Sequence, residues 1–366
     1  MLKIGIIGLP NVGKSSLFNL ITHSTIEVAN YPFATIEPNI GIVELKDLRI
    51  KKLVTLYKSK KVIFPLIKFW DIAGLVKGAS EGQGMGNQFL HHIQNADAII
   101  HIVRSFQNKE ILHVHDEVNP LYDFEIVNLE LILSDLQTVR KKIVKTENIK
   151  KSNNSIEVKK EYELLTSINH CLNQNQMLNS QKWTSEEQDY INSMNLLTSK
   201  KTLVIINVSE KFFSDFATNS IYQNFVKVLK KQKIKYLPLA IEFEKNIKDL
   251  PASDVDFLRT EYQIPPEFFY NFLQKSHEML GLSIFFTAGP KETRGWSFLN
   301  NSNAKQCAGI IHTDFARGFI RCNILPYEKL IAAGSEQKAK EQGFVRTEGK
   351  EYIIKDGDIC HFLFNV

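Results

Sequence analysis

The residues best suited to bind phosphate lie near the start of the sequence, in the segment GLPNVGKS at positions 8–15. This segment fits the pattern G-x-x-x-x-G-K-S between an apolar run and a helix-like run, which is the context the motif requires. Gly8 and Gly13 allow backbone angles that other residues avoid, so N–H groups of the loop can point at phosphate oxygens. Lys14 can reach the β- and γ-phosphates of a nucleotide, and Ser15 can offer its hydroxyl to Mg²⁺. Phosphate contacts are expected from Asn11, Val12, Gly13, Lys14, Ser15 and Ser16.

A second signal for phosphate and metal follows the apolar run 66–70, in the segment DIAG at 71–74. Asp71 at a strand end can steady the water shell of Mg²⁺, and the N–H of Gly74 can meet a γ-phosphate. Thr35, in the preceding loop NYPFAT, could supply a second hydroxyl to the magnesium or could only close a turn. The pattern D-x-x-G is common by itself, but after a phosphate loop it indicates a switch-type nucleotide hydrolase.

A base-recognition signal lies in the segment Asn207-Val208-Ser209-Glu210, directly after the apolar run 203–206. Ordinary GTPases carry N-K-x-D there, and the Asp carboxylate accepts two hydrogen bonds from guanine. Here Val208 replaces the Lys and Glu210 replaces the Asp, and the longer Glu is not expected to place its oxygens in that fork. Asn207 can still pair with N6 and N7 of adenine. The alternative is that N-x-x-E forms only a turn at a strand end.

The elements that must position these residues alternate between strand-like and helix-like segments. A β-branched run at 2–7 leads into the phosphate loop, and the segment KSSLFNLI after it has the apolar spacing of a helix. Because helix-like segments separate most of the later strand-like runs, the alternation predicts an α/β fold with a parallel sheet covered on both faces. Those later runs lie at 40–45, 66–70, 98–103, 203–208 and 236–240.

Two further regions differ in character from this alternation. Between about 125 and 196 the strand signal disappears, and the Lys-, Glu-, Asn- and Leu-rich sequence predicts a helical hairpin inserted into the α/β domain. From about 281 onward, short strand-like runs flank one helix-like stretch, NAKQCAGIIHTDFARGF, and predict a small α+β domain.

Composition narrows the class of protein without deciding its function. The chain has 366 residues, 43% of them hydrophobic and 23% charged, which is enough to bury a sizeable core and excludes disorder as the main state. Its net charge of +5 permits an anionic partner without requiring one. The four cysteines lie far apart, and no apolar run reaches the roughly 20 residues of a membrane helix, so we expect a cytoplasmic protein without a membrane partner.

Five long strings of this sequence resemble the Obg-like ATPases of the YchF type, and the resemblance runs nearly end to end. The strings are GLPNVGKSS, NYPFATIEPNIG, DIAGLVKGASEGQGMGNQFL, IIHTDFARGFIRCNI and EGKEYIIKDGDICHFLFNV. The resemblance implies a Ras-like P-loop nucleotide-binding domain at 1–124 and 197–280, with a helical coiled-coil insertion at 125–196. It also implies a C-terminal TGS domain of β-grasp form at 281–366.

The resemblance implies an enzyme activity as well: a Mg²⁺-dependent ATPase that hydrolyses ATP in preference to GTP. Ser15, Thr35 and Asp71 would hold the magnesium, while Asn207, Val208 and Glu210 would form the base site. It further implies association with the ribosome or its large subunit. Arg317 and Arg321, read as one turn apart on a helix, could contact rRNA phosphate or could simply form a solvated helix face.

The residue that orients the attacking water is not where Ras-like hydrolases have it. Leu75 stands in the position of their Gln, and leucine cannot hydrogen-bond water. The resemblance offers His113 as the catalytic residue, and a His is a common general base. The alternative is a packed surface histidine.

Two rival functions stay open from the sequence. In one, the protein is a nucleotide-controlled ribosome-binding adaptor with vestigial hydrolysis, which Leu75 favours and His113 opposes. In the other, it is a conventional GTPase translation factor, which would need a guanine selectivity that the segment 207–210 does not provide.

Overall fold

The computed structural model describes residues 2–22, 39–71, 93–108, 117–153, 155–213 and 219–365. Thr35, Gly74, Leu75 and His113 lie outside these ranges. The described residues form two compact units: the first takes residues 2–22, 39–41 and the described part of 68–272, and the second takes 42–67 and 273–365.

The first sheet of the described chain has six strands, in the spatial order β2-β4-β1-β5-β6-β7. Strand β1 pairs in parallel with β4 and β5, β5 with β6, and β6 with β7. Each strand matches a predicted run to within two residues at either end, and the predicted α/β fold class is confirmed. The strands are β1 Lys3–Ile7, β2 Ile40–Glu44, β4 Leu66–Asp71, β5 Ala98–Arg104, β6 Lys201–Asn207 and β7 Lys235–Leu239.

The central strands of this sheet are buried on both faces. All seven residues of β5 and the last five of β6 are buried, which explains why these runs are mostly apolar, apart from His101, Arg104 and Asn207, instead of alternating with polar residues. Across the sheet Ile7 lies opposite His101, and Arg104 lies opposite Asn207. Because the strands are parallel, their carboxyl ends bring the phosphate loop and Asn207 to one edge.

The predicted helical insertion is present as a hairpin, α3 Pro120–Ser152 and α4 Ile156–Asn173, followed by α5 Ser185–Ser193. Helix α3 begins before the predicted residue 125, because Pro120 occupies its first turn and the Asn119 side chain caps Tyr122 N–H. Ile132, Val139 and Leu165 are among the residues of the apolar core that joins the helices. The other helices that contribute to the first unit are α1 Lys14–Thr22, α6 Ser220–Lys231, α7 Ile241–Asn246, α8 Ala252–Glu261 and α9 Phe268–Met279.

The second unit contains a six-stranded sheet in the order β11-β10-β12-β8-β9-β3. Strands β8 and β9 form an antiparallel hairpin, and β10 pairs antiparallel with β11 and β12. The strands are β3 Lys61–Ile63, β8 Leu282–Ala288, β9 Glu292–Leu299, β10 Phe319–Pro326, β11 Arg346–Glu348 and β12 Asp358–Phe364. The helices are α2 Leu48–Tyr57, α10 Ala304–Ile311, α11 Thr313–Arg317, α12 Tyr327–Ala333 and α13 Glu336–Glu341. The description of this unit as a TGS domain stays a prediction.

Residues 42–67 belong to the second unit, although the predicted boundaries placed them in the nucleotide-binding domain. Strand β3 extends the sheet by pairing in parallel with β9. Arg49 of α2 forms an ion pair of 2.6 Å with Asp356, whose carboxylate also accepts the N–H of Ile284 in β8. A three-residue strand has too little apolar pattern to reveal this pairing from sequence.

Two sequence expectations for the C-terminal region are wrong. The single predicted helix in NAKQCAGIIHTDFARGF is two helices, because the backbone of His312 is extended and its side chain caps Asp314 N–H at the start of α11. Arg317 and Arg321 are not one turn apart on a helix: Arg317 ends α11 and pairs with Asp314 at 3.1 Å, while Arg321 lies on β10. In the part of the chain that the structure describes, no helix is both long and apolar enough to cross a membrane.

Candidate functional site

The phosphate loop connects β1 to α1, and its two glycines are required by the backbone. Gly8 has φ +150°, and a Cβ there would lie 2.5 Å from the carbonyl oxygen of Ile102. Gly13 has φ +105°, and a Cβ there would lie 2.5 Å from Nδ2 of Asn207. A side chain at either position would therefore displace a neighbouring strand or the candidate base residue.

Lys14 is the buried cation of this loop. Its side chain is 7% exposed, and its Nζ donates to the carbonyl oxygen of Leu9 at 2.6 Å. Burial lowers the pKa of Lys14 to about 8, although the carboxylate of Asp71 acts in the opposite direction. Since burial disfavours the ammonium, an anion placed against it would be bound strongly.

The start of α1 is suited to an anion as well. Ser15 is exposed and Ser16 half-buried in its first turn, which contains no acidic residue. The positive end of the helix dipole therefore meets no acidic side chain in this turn, and it favours a phosphate group there.

Asp71 ends β4, directly opposite Ile6 of β1. The carboxylate is half-buried, and burial raises its pKa while Lys14 lowers it. Asp71 and Lys14 therefore lie close enough to influence each other electrostatically, and the role of Asp71 in holding magnesium stays a prediction. The other predicted partners of this region, Thr35, Gly74 and His113, lie outside the described residues.

Asn207 ends β6 and links the phosphate loop to the loop after β7. Its Nδ2 donates to the carbonyl oxygen of Val12 at 2.9 Å, and its Oδ1 accepts the N–H of Ile241 at 3.4 Å. Its own carbonyl oxygen accepts the N–H of Ser105 at 2.9 Å. Because Nδ2 has an acceptor as its partner and Oδ1 has a donor, the orientation of the amide is fixed.

The remaining predicted base residues follow Asn207 directly. Val208 is 3% exposed, and its N–H donates to Leu239 O at 3.1 Å, so this side chain is part of the core. Glu210 is half-buried and begins a short 3-10 turn that ends at Phe212. A role for Val208 and Glu210 in discriminating between bases stays a prediction.

Three further residues of this region, to which the sequence assigned no definite role, lie beside the site. Ser105 and Ile241 act through backbone N–H groups, which no side-chain pattern reveals. His101 of β5 is 1% exposed and stacks on Phe124 at 5.1 Å, and neither ring nitrogen has a hydrogen-bond partner among the described residues. Burial and the charge of Lys14 lower the pKa of His101 to about 3, so the ring is neutral.

The residues present fit a magnesium ion that is held mainly by nucleotide phosphates. Among the described residues, no group of three or more His, Cys, Asp or Glu side chains could hold a metal on its own. Ser15 and Asp71 nevertheless offer a hydroxyl and a carboxylate, which are the oxygen ligands that Mg²⁺ prefers, usually in small number beside waters and phosphates.

The fold and this site define a class: the chain is a P-loop nucleotide-binding protein built on the GTPase fold. Residues 3–134 match the family described as "50S ribosome-binding GTPase", and residues 282–365 match the C-terminal domain of YchF GTPases, described as a protein of unknown function.

Full-length relatives narrow this class to one family. The chain is 43% identical over 365 residues to the ribosome-binding ATPase YchF of Bacillus subtilis (strain 168), with 100% of both chains covered. It is 44% identical over 368 residues to the protein of that name from Mycoplasma genitalium, again with 100% of both covered. The solved structure of the Schizosaccharomyces pombe YchF GTPase superposes with a TM-score of 0.88 at 32% identity, covering 99% of this chain and 97% of that one. The chain belongs to the YchF family.

Proposed function

We propose that this chain is a Mg²⁺-dependent ATPase that binds and hydrolyses ATP in preference to GTP and associates with the ribosome. The observation that carries the nucleotide preference is the fixed amide of Asn207, held between Val12 O and Ile241 N–H. This amide presents one acceptor and one donor edge, which suits N6 and N7 of adenine. The carboxylate that would read guanine is replaced by the longer Glu210.

The names of the relatives support the activity and the partner. Two relatives that align over the whole chain are called ribosome-binding ATPases. The solved relative and the matched family at 3–134 are called GTPases, which keeps a conventional GTPase as the competing function. A role at the ribosome would place the protein in the cytoplasm.

Each group of the site has one task in the proposed reaction. Loop N–H groups from 11 to 16 and Lys14 bind the phosphates, and the buried ammonium stabilises charge that develops on them. Ser15, Thr35 and Asp71 would hold a magnesium ion, which would neutralise charge on the phosphates. Gly74 would contact the γ-phosphate and His113 would orient the attacking water. These assignments rest on the sequence motifs together with the contacts of Lys14 and Asp71.

A side-by-side assay of turnover with ATP and GTP tests the proposal. We expect hydrolysis of ATP with Mg²⁺, little hydrolysis of GTP, and none with either nucleotide after chelation of the metal. Faster turnover of GTP would establish the conventional GTPase instead. Tight binding of ATP without turnover, on or off ribosomes, would establish the adaptor.

Cosedimentation with purified ribosomes and separated subunits tests the partner. We expect the protein in the ribosomal fraction, with the bound amount dependent on nucleotide. An rRNA contact by Arg317 or Arg321 is proposed only as a secondary feature, since Arg317 already pairs with Asp314. A protein that stays in the supernatant under every nucleotide condition would remove the ribosome from the proposal.

A further inference from the structure

The helix that supports Asn207 is short and is held partly by its buried apolar side chains, Ile241 and Phe243. Helix α7 has only six residues, and Ala240 at its N-cap provides no side-chain hydrogen bond. Its first residue, Ile241, is fully buried and donates the N–H that fixes Oδ1 of Asn207. The side chain of Ile241 also lies near Gly13: a Cβ on that glycine would be 3.5 Å from Ile241 Cδ1.

A buried ion pair anchors this helix one turn after Ile241. Arg259 of α8 donates from Nη1 to Oε1 of Glu244 at 3.1 Å and from Nη2 to Oε2 at 2.8 Å. The two side chains are 11% and 5% exposed, respectively. The guanidinium also donates to Pro265 O at 3.0 Å and lies 5.8 Å from the ring of Phe243. Such a two-pronged arrangement fixes direction as well as distance.

The connection between the pair and the base site is short and sensitive to displacement. Glu244 N–H donates to Ala240 O, which closes the first turn of α7 around Ile241. The bond from Ile241 N–H to Asn207 is 3.4 Å, near the upper limit for a hydrogen bond. A shift of α7 by a fraction of an ångström would break it and release the amide of Asn207.

We infer that the Arg259–Glu244 ion pair positions the base-recognition site by holding Ile241 against Asn207. This inference rests on the proposed function, because Asn207 is there the residue that contacts adenine. Arg259 and Glu244 are positioning residues: they set the affinity for the base-bearing part of the nucleotide and leave phosphate binding to Lys14 and its loop. Helix α8 has no buried residue, and Arg259 links it to Glu244 of α7.

Calorimetric titration with two ligands separates positioning from general stability. The probes are MgATP and magnesium tripolyphosphate, which lacks base and ribose. For Arg259→Met we expect ATP affinity to fall about tenfold, as for one lost polar contact to the base, while tripolyphosphate affinity stays within about twofold. Arg259→Lys should lower ATP affinity less than Arg259→Met does, since lysine keeps the positive charge but cannot form both hydrogen bonds to the carboxylate.

The same helix provides a matched control. Lys245→Met removes the exposed Lys245–Glu242 pair of 3.0 Å, one residue away from Glu244. This variant should bind both ligands as the parent protein does. If Arg259→Met does not fold, Arg259→Lys and Glu244→Gln take its place, because neither leaves an unpaired buried carboxylate. In each of these two variants we expect ATP affinity to fall about threefold.

Two results would overturn the inference. One is unchanged ATP affinity in the folded variants, and the other is an equal loss for ATP and tripolyphosphate. Failure of the proposed function is seen separately, in the parent protein, as an absence of preference for ATP over GTP.

Discussion

Nδ2 of Asn207 lies 2.9 Å from the carbonyl oxygen of Val12, so the candidate base residue is bonded directly to the phosphate loop. The same contact explains Gly13, because any Cβ there would collide with that amide. The amide of Asn207 therefore belongs both to the candidate base site and to the packing of the phosphate loop.

Asn207→Ala should weaken ATP binding and reduce stability together. The substitution leaves Val12 O and Ile241 N–H without their partner, which costs about 1 to 3 kcal/mol of unfolding free energy. Calorimetry with ATP and a denaturant titration measure the two effects. As a control, Asn192→Ala removes an exposed hydrogen bond to Gln188 and should change neither quantity. Unaltered ATP affinity in Asn207→Ala would exclude the residue from the site.

Lys14→Met should abolish most turnover while leaving the fold intact. Removal of one preorganised charge at a reacting phosphate costs about 10² to 10³ in rate. Without nucleotide the unfolding temperature should not fall, because burial already disfavours the ammonium and lowers its pKa to about 8. Lys227→Met, at an exposed position of α6, is the control. A folded Lys14→Met protein with normal turnover would contradict the assignment.

Stability should fall with acidification because of His101. Its pKa is lowered from 6.5 to about 3 by burial, so below pH 6.5 the unfolded chain binds a proton that the folded chain rejects. The decrease in the free energy of unfolding approaches about 1.4 kcal/mol per pH unit and continues as the pH falls towards 3. His277, with a pKa lowered to about 4, adds a loss of the same sign.

The contribution of His101 is measured by difference. His101→Phe keeps the stack on Phe124 and removes the titrating group. Unfolding free energies at pH 7, 6 and 5 should decline less steeply in this variant than in the parent protein. Parallel pH profiles would show that the ring is not held neutral by the fold.

His113→Ala should lower the turnover number by about 10² or more and leave ATP affinity nearly constant, because a water-orienting group acts in the transition state. Single-turnover hydrolysis measures the chemical step, and calorimetry measures the affinity. His170, exposed on α4, provides a control replacement. Normal single-turnover hydrolysis in His113→Ala would exclude this residue from the catalytic step.

The sequence revealed most of the sheet and the phosphate loop because both are local patterns. A glycine-rich loop after an apolar run needs no distant contact to be recognised, and the mostly apolar strands follow from burial on both faces. The helical insertion was also visible, since the strand signal disappears over a long polar stretch.

The contacts that no sequence pattern predicts depend on distant backbone groups. Ile241 N–H reaches Asn207, which lies 34 residues earlier in the chain, and neither side-chain type indicates this. The pairing of β3 with β9 joins segments far apart in sequence, and its three residues are too few to form a pattern. The break at His312 needed the extended backbone and the cap on Asp314, where the apolar spacing suggested one continuous helix.

The preference of this protein for adenine is measured most directly by the dissociation constants for ATP and for GTP under identical Mg²⁺ conditions. We expect ATP to bind about five- to hundredfold more tightly than GTP, since guanine would leave a polar edge without its partner. The double variant Val208→Lys with Glu210→Asp should reduce this ratio by strengthening GTP binding. Equal or tighter binding of GTP by the unaltered protein would show that the site does not select adenine.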